Sequence, residues 1–360
     1  MILFVVGLPG RFAQWCEAAL VRLAGRGVAS ETWPSLTDMF GYDGIPSTFD
    51  ELGRALIGNR GEHLVIGARQ PDARLRGALA ERNTPFLLAL DDPHNAVSEL
   101  LAETGVDPKA VVRAVANSCP MVMQFDGLPG TLAIHADHAR LDPAAAVSAI
   151  ARHFGIAVEP EAAAAIADDL TTLGAGSESS GAAEPAEHLP AETRKMIEGA
   201  LLGYRHFFAN GRLGQIVWTR DLFHLAVDAA RSPTEPIDVA GGSRILIYGP
   251  YIHLPPGSWS ARVVLGFSPE TVHSRFLVDV YSDTQLACTT LQPEASGVYS
   301  ADLAFSLAEP SGKGVEVRVT VANDDARGKL AFGRVVLQRH AMRRPDALAE
   351  SEDFASVLDL

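Results

Sequence analysis

The feature that most constrains the fold is a short apolar run that ends in a Gly/Pro turn and leads directly into a helical pattern. The run covers residues 2–6, and the turn is Gly7-Leu8-Pro9-Gly10. Trp15, Ala19 and Leu23 then recur at helical spacing, which predicts a strand, a tight loop and a helix N-terminus. Such a helix end directs backbone N–H groups at one point, and its dipole favours negative charge there. The turn is therefore a candidate binding site for phosphate or sulfate.

Composition limits the class of protein. The chain has 360 residues, 47% hydrophobic and 21% charged, which indicates a globular protein with room for two domains. No apolar run is long enough to cross a bilayer, and the N-terminus lacks the basic segment of a signal peptide, so we expect a cytoplasmic location. The net charge of −14 disfavours nucleic acid as a partner. The three cysteines form no CxxC pair, so we expect buried free thiols and no metal site.

Residues 1–172 alternate between short apolar runs and helical patterns. Strand-like runs occur at residues 64–67, 85–90 and 132–134, and a helical stretch follows each of them. Asp142-Pro143 opens the last of these helices. This alternation predicts an α/β domain, in which helices cover a parallel sheet.

The rest of the chain has a different character. Residues 173–236 begin with a stretch of small polar residues and continue with a helical pattern, which predicts a flexible linker and a helical connector. Residues 237–340 contain strand-like segments separated by turns rich in Gly, Pro, Ser and Asn, which predicts an antiparallel β-sandwich. Residues 341–360 form a polar, acidic tail.

Three segments follow one another in the order and spacing of the motifs of a known family. Residues 7–15 match the Gly, Pro and Trp of a strand followed by G-F-P-[RK]-S-G-T-T-W-L. Residues 88–98 are similar to a strand followed by R-D-P-R-D-x-x-x-S, and residues 134–156 to Y-E-D-L-x-x-D-P with a helix ending in F-L-G. In these segments the chain resembles the PAPS-dependent sulfotransferases. The resemblance implies a P-loop sulfotransferase-like α/β domain and PAPS as cofactor.

The resemblance also implies the roles of individual residues. The loop would hold the phosphosulfate of PAPS, and Ser98 its 3′-phosphate. Sulfuryl transfer needs cations that offset charge on the bridging oxygen, for which Arg11 is the candidate. A general base must deprotonate the acceptor hydroxyl, for which His94 or Asp137 is the candidate. The candidate cofactor-binding residues are Gly7, Pro9, Gly10, Arg11, Phe12, Ala13, Gln14 and Ser98.

Aromatic and histidine side chains supply candidate contacts to a glycan. Trp33 follows the first helix in a Gly/Pro-bearing segment that also contains Phe40 and Tyr42. Tyr251 and His253 lie in a turn-rich stretch of residues 240–340, which loosely resembles sandwich modules found beside enzymes of bacterial surface polysaccharides. We take Trp33, Tyr251 and His253 as candidate substrate-binding residues, with packing in the core as the alternative.

His135, Asp137 and His138 lie close together in the sequence. In a strand, alternation would place His135 and Asp137 on one face and His138 on the other. A metal site needs a third ligand, and none is visible nearby, so we expect polar surface residues here.

Two functions stay open, beside a third possibility, the transfer of another group from a different activated donor. The chain is either a divergent sulfotransferase that transfers a sulfuryl group from PAPS to a cell-surface glycan, or a non-catalytic glycan-binding or assembly protein that kept the fold and lost the donor site. Gly10 and Asp91 favour the second function, because the family has basic residues at these positions and an Asp repels phosphate. Phe12 stands where the family has Gly, and a side chain there would crowd the loop. The oligomeric state is not predicted.

Overall fold

The structure of the protein is a computed structural model with two parts. The first part is a five-stranded parallel sheet with helices, and the second contains two antiparallel sheets. In the described segments we find no helix with the length and apolarity that a bilayer crossing requires. The structure describes residues 2–25, 28–33, 63–71, 73–104, 106–170, 189–308 and 314–340.

Strands and helices alternate in the first part, as the sequence predicts. The strands lie in the order β2-β3-β1-β4-β5, and all neighbours pair in parallel. The apolar strands β1 and β4 are buried along nearly their whole length, as expected for strands covered on both faces. The bounds are β1 Ile2–Gly7, α1 Arg11–Ala24, β2 Val28–Trp33, β3 His63–Ala68, α2 Ala73–Glu81, β4 Phe86–Leu90, α3 Pro93–Thr104, α4 Pro108–Met123, β5 Thr131–His135, α5 Ala136–Leu141, α6 Pro143–His153 and α7 Pro160–Asp169.

The second part begins with one long helix and continues with short strands. One sheet has the order β13-β12-β15-β9-β7, with β10 also paired to β15, and the other has the order β14-β11-β16-β6, with β8 paired to β16. The bounds are α8 Ala191–Asn210, β6 Ile216–Thr219, β7 His224–Leu225, β8 Ile237–Asp238, β9 Arg244–Tyr248, β10 Pro250–Ile252, β11 Gly257–Phe267, β12 Phe276–Tyr281, β13 Gln285–Leu291, β14 Gly297–Leu307, β15 Val315–Val321 and β16 Lys329–His340.

The two antiparallel sheets share an apolar core. On β15, Val317 and Val319 are buried while Arg318 between them is partly exposed, so this strand has one buried and one wet face. Phe267 of β11 lies with its ring centroid 4.7 Å from that of Phe276 on β12, which brings the inner faces of the two sheets into contact.

Close backbone packing fixes β6 against α8. A Cβ on Gly199 would lie 2.7 Å from the Val217 carbonyl oxygen, and one on Gly203 would lie 2.8 Å from the Gln215 carbonyl oxygen. The two glycines, one helical turn apart, therefore let the strand approach the helix closely. Residues 216–219 pair with β16, so the stretch predicted as a helical connector also contains a strand.

One ion pair is buried beneath the loop that follows β1. Arg69, directly after β3, pairs with Glu17 on α1, and the two side chains are 8% and 7% exposed. The Ser118 hydroxyl of α4 donates to the Arg69 carbonyl oxygen. Burial lowers the pKa of Arg69, and the charge of Glu17 opposes this shift. A Cβ on Gly67 would overlap the Glu17 carboxylate, so this glycine makes room for the pair.

Polar residues of α4 join the two parts of the molecule. Lys109, Arg113 and Asn117 recur every four residues and therefore share one helix face. Arg113 donates to the Leu222 carbonyl oxygen and lies 2.7 Å from His224 Nε2. Asn117 Oδ1 accepts from the backbone N–H of residue 253 at 2.7 Å, and Lys109 Nζ donates to the hydroxyl of residue 232.

This junction makes stability depend on pH. Burial lowers the pKa of His224, and the charges of Arg113 and Lys109 act in the same direction. Burial also lowers the pKa of His253. Because the unfolded chain then binds more protons than the folded one, the free energy of unfolding falls as the pH drops below about 6.5, the ordinary pKa of histidine. We expect urea unfolding between pH 8 and pH 5 to show this loss.

The matched variants are His224→Gln and His206→Gln. His206 is exposed on α8, so its removal leaves the pH dependence as in the wild type. The His224→Gln variant keeps a hydrogen-bond acceptor for Arg113 and loses one titrating group, so its stability falls less between pH 7 and pH 5. Equal slopes for wild type and His224→Gln would contradict the lowered pKa.

Candidate functional site

The order of the parallel strands reverses between β1 and β4. The chain leaves β1 towards β2 on one side and leaves β4 towards β5 on the other. Ligands of open α/β sheets bind outside the carboxyl ends of the strands at such a point. The Gly7–Gly10 loop and Asp91 follow the two strands and border this crevice. A Cβ on Gly7 would lie 3.0 Å from the Ala89 Cβ and 3.1 Å from the Ala13 Cβ, so the glycine lets β1, β4 and α1 approach closely.

A carboxylate of the chain itself occupies the N-terminus of α1. The backbone N–H of Arg11 donates to Glu99 Oε2 at 2.7 Å, and Glu99 lies on α3, 88 residues away. A Cβ on Gly10 would lie 3.0 Å from the same oxygen. Burial raises the pKa of Glu99, the Arg11 N–H opposes this, and the charge of Asp91 raises it again. A negative group thus already lies where the loop offers a place to an anion.

The side chain of Phe12 packs beneath the loop. It is 2% exposed and stacks on Trp15, with ring centroids 6.0 Å apart. Ala13 is also buried, Pro9 is half-buried and Gln14 is exposed. The crowding expected from Phe12 is therefore absent, because its ring belongs to the core and the Glu99 carboxylate lies at the loop instead.

Asp91 supplies a second acidic group at the crevice. Its Oδ1 accepts from the backbone N–H of Asp92 at 2.8 Å and from Asn95 Nδ2 at 3.2 Å, and it lies 3.5 Å from Arg140 Nη2. Its Oδ2 is buried without a hydrogen-bond partner among the described residues. Burial raises the pKa of Asp91, and Arg140 opposes the shift. A phosphate at this point of the crevice would therefore lie beside a buried carboxyl group.

Two other residues that were predicted to bind a ligand, Ser98 and Trp33, do not lie in loops. Ser98 is half-buried on α3. Trp33 is the last residue of β2 and pairs with Ala68 of β3, so the interpretation of Trp33 as a loop residue is wrong. The apolar pattern of β2 is too short to have shown this. Phe40 and Tyr42 lie outside the described residues.

His94 is held by its neighbour. Asp92 Oδ1 accepts from the His94 backbone N–H at 2.9 Å and lies 3.1 Å from its Nδ1, while Arg205 of α8 pairs with Asp92 Oδ2 at 2.7 Å. Although burial raises the pKa of Asp92, the bonds from His94 and the charge of Arg205 lower it overall. The Asp92–Arg205 ion pair therefore connects the start of α3 to α8.

Asp137 lies on a helix, not in a strand. Because β5 ends at His135 and α5 begins at Ala136, the alternation assumed for His135, Asp137 and His138 does not apply, and that prediction is wrong. The Asp137 side chain is 89% exposed and pairs with Arg140 at 3.1 Å. The rings of His135 and His138 lie 5.5 Å apart. No group of three or more possible metal ligands occurs among the described residues.

A cavity of about 330 Å³ opens at the carboxyl ends of β4 and β5, and we call it the β4–β5 cavity. Asp91, Asp92 and Asp137 contribute to its wall, together with His135, His138 and residues of α8. Arg11 and His94 lie outside this lining. Of the three predicted catalytic residues, Asp137 alone therefore contributes to the cavity.

A second candidate surface lies on the wet face of the sheet that contains β15. Glu316 of β15 is paired with Tyr281 of β12 on one side and with the start of β10 on the other. Tyr251 on β10 is 43% exposed, and its ring lies 6.0 Å from that of Tyr248. We call Tyr248, Tyr251, Tyr281, Glu316 and Arg318 the tyrosine patch.

Arg318 is rigidly placed within the tyrosine patch. Its guanidinium carbon lies 4.1 Å from the Tyr281 ring centroid, a cation–π distance. Its Nε and Nη2 donate to the two carboxylate oxygens of Asp279 at 2.9 and 2.6 Å, a bidentate pair. Asp279 is directly opposite Arg318 in the strand pairing, so the sheet itself preorganises the cation.

The sequence grouped Tyr251 with His253, but the two residues have different surroundings. The backbone at Tyr251 is unusual. Tyr251 has a φ of 63°, a left-handed value that a bulky residue adopts only where its surroundings enforce it. Asn117 Nδ2 donates to the Tyr251 carbonyl oxygen at 3.4 Å, and a Cβ on Gly314 would overlap the same peptide unit. His253 is held at the junction instead, where its carbonyl oxygen accepts from the Tyr204 hydroxyl at 3.2 Å.

The sequence analysis missed Glu99, Arg205 and Arg318. A signal for Glu99 exists, because Asn95 and Glu99 are four residues apart on one face of α3, and Asp91 precedes Asn95 by the same spacing. Arg318 alternates with valines along β15, a pattern that indicates an exposed strand position and no particular role. Nothing in the local pattern of α8 marks Arg205, whose partner Asp92 comes from the other part of the chain.

Comparisons with known proteins found no matching family model and no similar curated protein. Mouse sulfotransferase SULT7A1 complexed with PAP is 14% identical, covers 46% of this chain and 63% of its own length, and has a TM-score of 0.33. A sulfotransferase from Alicyclobacillus acidocaldarius is 14% identical over 48% of this chain and 93% of its own, with a TM-score of 0.31. The chain is thus similar to sulfotransferases over less than half of its length.

The chain is also similar to a third solved structure. The C-terminal CBM6 of LamC, a laminarinase from Zobellia galactanivorans, is 10% identical, covers 35% of this chain and all (100%) of its own length, and has a TM-score of 0.25. The chain covers less than two thirds of several matched structures, among them 18% of an arabinose-bound α-L-arabinofuranosidase. All of these TM-scores are low, so the proposals below rest on the geometry of the chain itself.

Proposed function

We propose that this chain is a non-catalytic glycan-binding protein. Its first part is a P-loop, sulfotransferase-like unit in which Glu99 of the same chain occupies the anion-binding loop. Its second part is a β-sandwich that carries the sugar-binding surface. The observation that carries the proposal is the hydrogen bond from the Arg11 N–H to Glu99 Oε2, at 2.7 Å.

The closed crevice opposes the use of PAPS. A donor would have to displace Glu99 from the end of α1 and then lie beside Asp91, which is a second carboxyl group. Arg140, the cation near both acids, is already paired with Asp91 and Asp137. Transfer of an anionic group requires preorganised donors and cations. In this crevice the Arg11 N–H and the Arg140 guanidinium already bind carboxylates of the chain itself.

The tyrosine patch supplies the chemistry that a glycan needs. A sugar ring offers an apolar C–H face and a rim of hydroxyl groups. Tyr251 and Tyr281 offer aromatic bodies with polar tips, and Arg318 offers hydrogen-bond donors. Glu316 is 8% exposed and bonds to the Tyr251 side chain, so it holds that side chain in place. Tyr251, Tyr281 and Arg318 lie on neighbouring strands, so one saccharide can contact several of them.

Tyr251→Ala should weaken glycan binding by about tenfold or more, the loss of a stacking contact and its hydrogen bonds (about 1.4 kcal/mol). We would measure calorimetric titrations of the full chain with a panel of bacterial surface oligosaccharides and with PAP. The wild type is expected to bind a saccharide and not PAP.

The matched control is Tyr299→Ala. Tyr299 lies on β14 in the other sheet, where its hydroxyl donates to the Ala295 carbonyl oxygen at 2.9 Å. This variant should bind the saccharide as the wild type does. Tight binding of PAP by the wild type, or the same saccharide affinity for both variants, would overturn the proposal.

The rival function is sulfuryl transfer from PAPS to a cell-surface glycan, with Arg11 as the cation and His94 or Asp137 as the base. The observation in its favour is that the loop and the start of α1 keep their place where the strand order reverses. Incubation with PAPS and glycans, followed by mass spectrometry, separates the two functions. A sulfated product that disappears in Arg11→Ala would establish the transferase.

A further inference from the structure

The β4–β5 cavity is built from elements that lie far apart in the sequence. Residues 90–92 are the last residue of β4 and the two that follow it, residues 135–138 span the end of β5 and the start of α5, and Arg205 and Phe208 come from α8. Its volume of about 330 Å³ lies at the lower end of the range for small-molecule sites, about 300–1,000 Å³. The carboxyl ends of parallel strands are where α/β proteins place ligands.

Each of the three carboxylates on the wall of this cavity is paired with an arginine. Asp92 is paired with Arg205 at 2.7 Å, and Arg140 is paired with Asp137 at 3.1 Å and with Asp91 at 3.5 Å. A charged ligand would have to compete with these pairs, which costs most at Asp91, whose side chain is 6% exposed. The wall therefore favours a ligand without net charge.

Hydrogen-bonding capacity nevertheless remains at this cavity. The imidazoles of His135 and His138 form no hydrogen bond with any residue that the structure describes, and each ring offers one donor and one acceptor when neutral. Asp91 is 6% exposed and its Oδ2 lacks a hydrogen-bond partner within the described segments. Leu90 and Phe208 add apolar surface next to these groups.

We infer that the β4–β5 cavity binds one neutral polyol of monosaccharide size, whose hydroxyl groups bond to His135, His138 and the Asp92–Arg205 pair. The apolar surface of Leu90 and Phe208 accepts the C–H face of the ring. This site is separate from the tyrosine patch and goes beyond the proposed function, because it gives the chain a second, smaller ligand at the α/β unit.

The test is a titration of the full chain, with carbon-13-labelled histidine, followed by NMR of the imidazole resonances. The probes are glucose, galactose, mannose, N-acetylglucosamine and myo-inositol, added one at a time. At least one is expected to shift the His135 and His138 resonances saturably and to leave His206 unchanged. His138→Ala should weaken that binding about tenfold, which corresponds to about 1.4 kcal/mol.

Control variants separate this site from the rest of the molecule. Tyr251→Ala lies outside the cavity and should leave the titration unchanged, so the result is independent of glycan binding at the tyrosine patch. His206→Ala, on the exposed side of α8, should also bind as the wild type does. The absence of saturable shifts with every probe overturns the inference. Saturation of the same resonances by inorganic phosphate or by a simple alkylamine, with no response to the sugars, overturns it as well.

Discussion

Arg69→Met is expected to lower the free energy of unfolding by about 3–5 kcal/mol, because it removes the arginine that pairs with the buried charge of Glu17. Both side chains of the pair are more than nine-tenths buried, at 8% and 7% exposure. The Glu17 carboxylate packs directly against the backbone of Gly67, where even a Cβ would overlap it. The carboxylate therefore has no room to move on that side. The substituted side chain keeps much of the volume of Arg69, so the loss reports the charge and not a cavity.

Urea unfolding of three variants checks this expectation. Arg22→Met removes one partner of the Arg22–Asp169 pair, whose side chains are 52% and 62% exposed, and should cost no more than about 1 kcal/mol. The double variant Glu17→Met, Arg69→Met removes both buried charges and should be more stable than Arg69→Met alone. A loss for Arg69→Met as small as that for Arg22→Met would contradict the burial of the pair.

Sequence periodicity predicted the elements that bury a continuous apolar run. Strands β1 and β4 were identifiable because every position faces covered surface. Helix α4 escaped notice, since Pro120 interrupts its pattern and the polar face of Lys109 to Asn117 meets another part of the chain. Residues 216–218 fit a helix or a strand equally well, and their partner strand lies more than a hundred residues away at 334–337.

In the candidate site, too, features with a local sequence pattern were predictable and contacts between distant segments were not. The Gly7–Gly10 loop has a local signature, a strand that ends in a turn before a helix, so its position at the strand reversal was predictable. The occupant of that loop was not, because Glu99 comes from a helix that follows a different strand. Asp137 was misplaced for a local reason, since β5 ends two residues earlier than the alternation assumed.

Glu99→Ala is expected to open the N-terminus of α1 to an external anion. The substitution removes the acceptor of the Arg11 N–H and one of the two acidic groups at the crevice, so PAP should bind at least about tenfold more tightly than to the wild type. The helix loses the side-chain acceptor of its Arg11 N–H, which should cost about 1 kcal/mol in the free energy of unfolding. Calorimetric titration with PAP and urea unfolding measure the two effects.

Glu99→Gln is the matched control, because it removes the charge and keeps an oxygen that accepts from the Arg11 N–H. If occupation of the loop is what excludes anions, Glu99→Gln binds PAP much less tightly than Glu99→Ala. If repulsion alone excludes them, the two variants bind alike and more tightly than the wild type, and the carboxylate acts through its charge. Should neither variant bind PAP, the loop has lost its capacity for anions for reasons beyond Glu99, such as the acidic Asp91 beside it, and closure by this residue does not explain the absence of a donor.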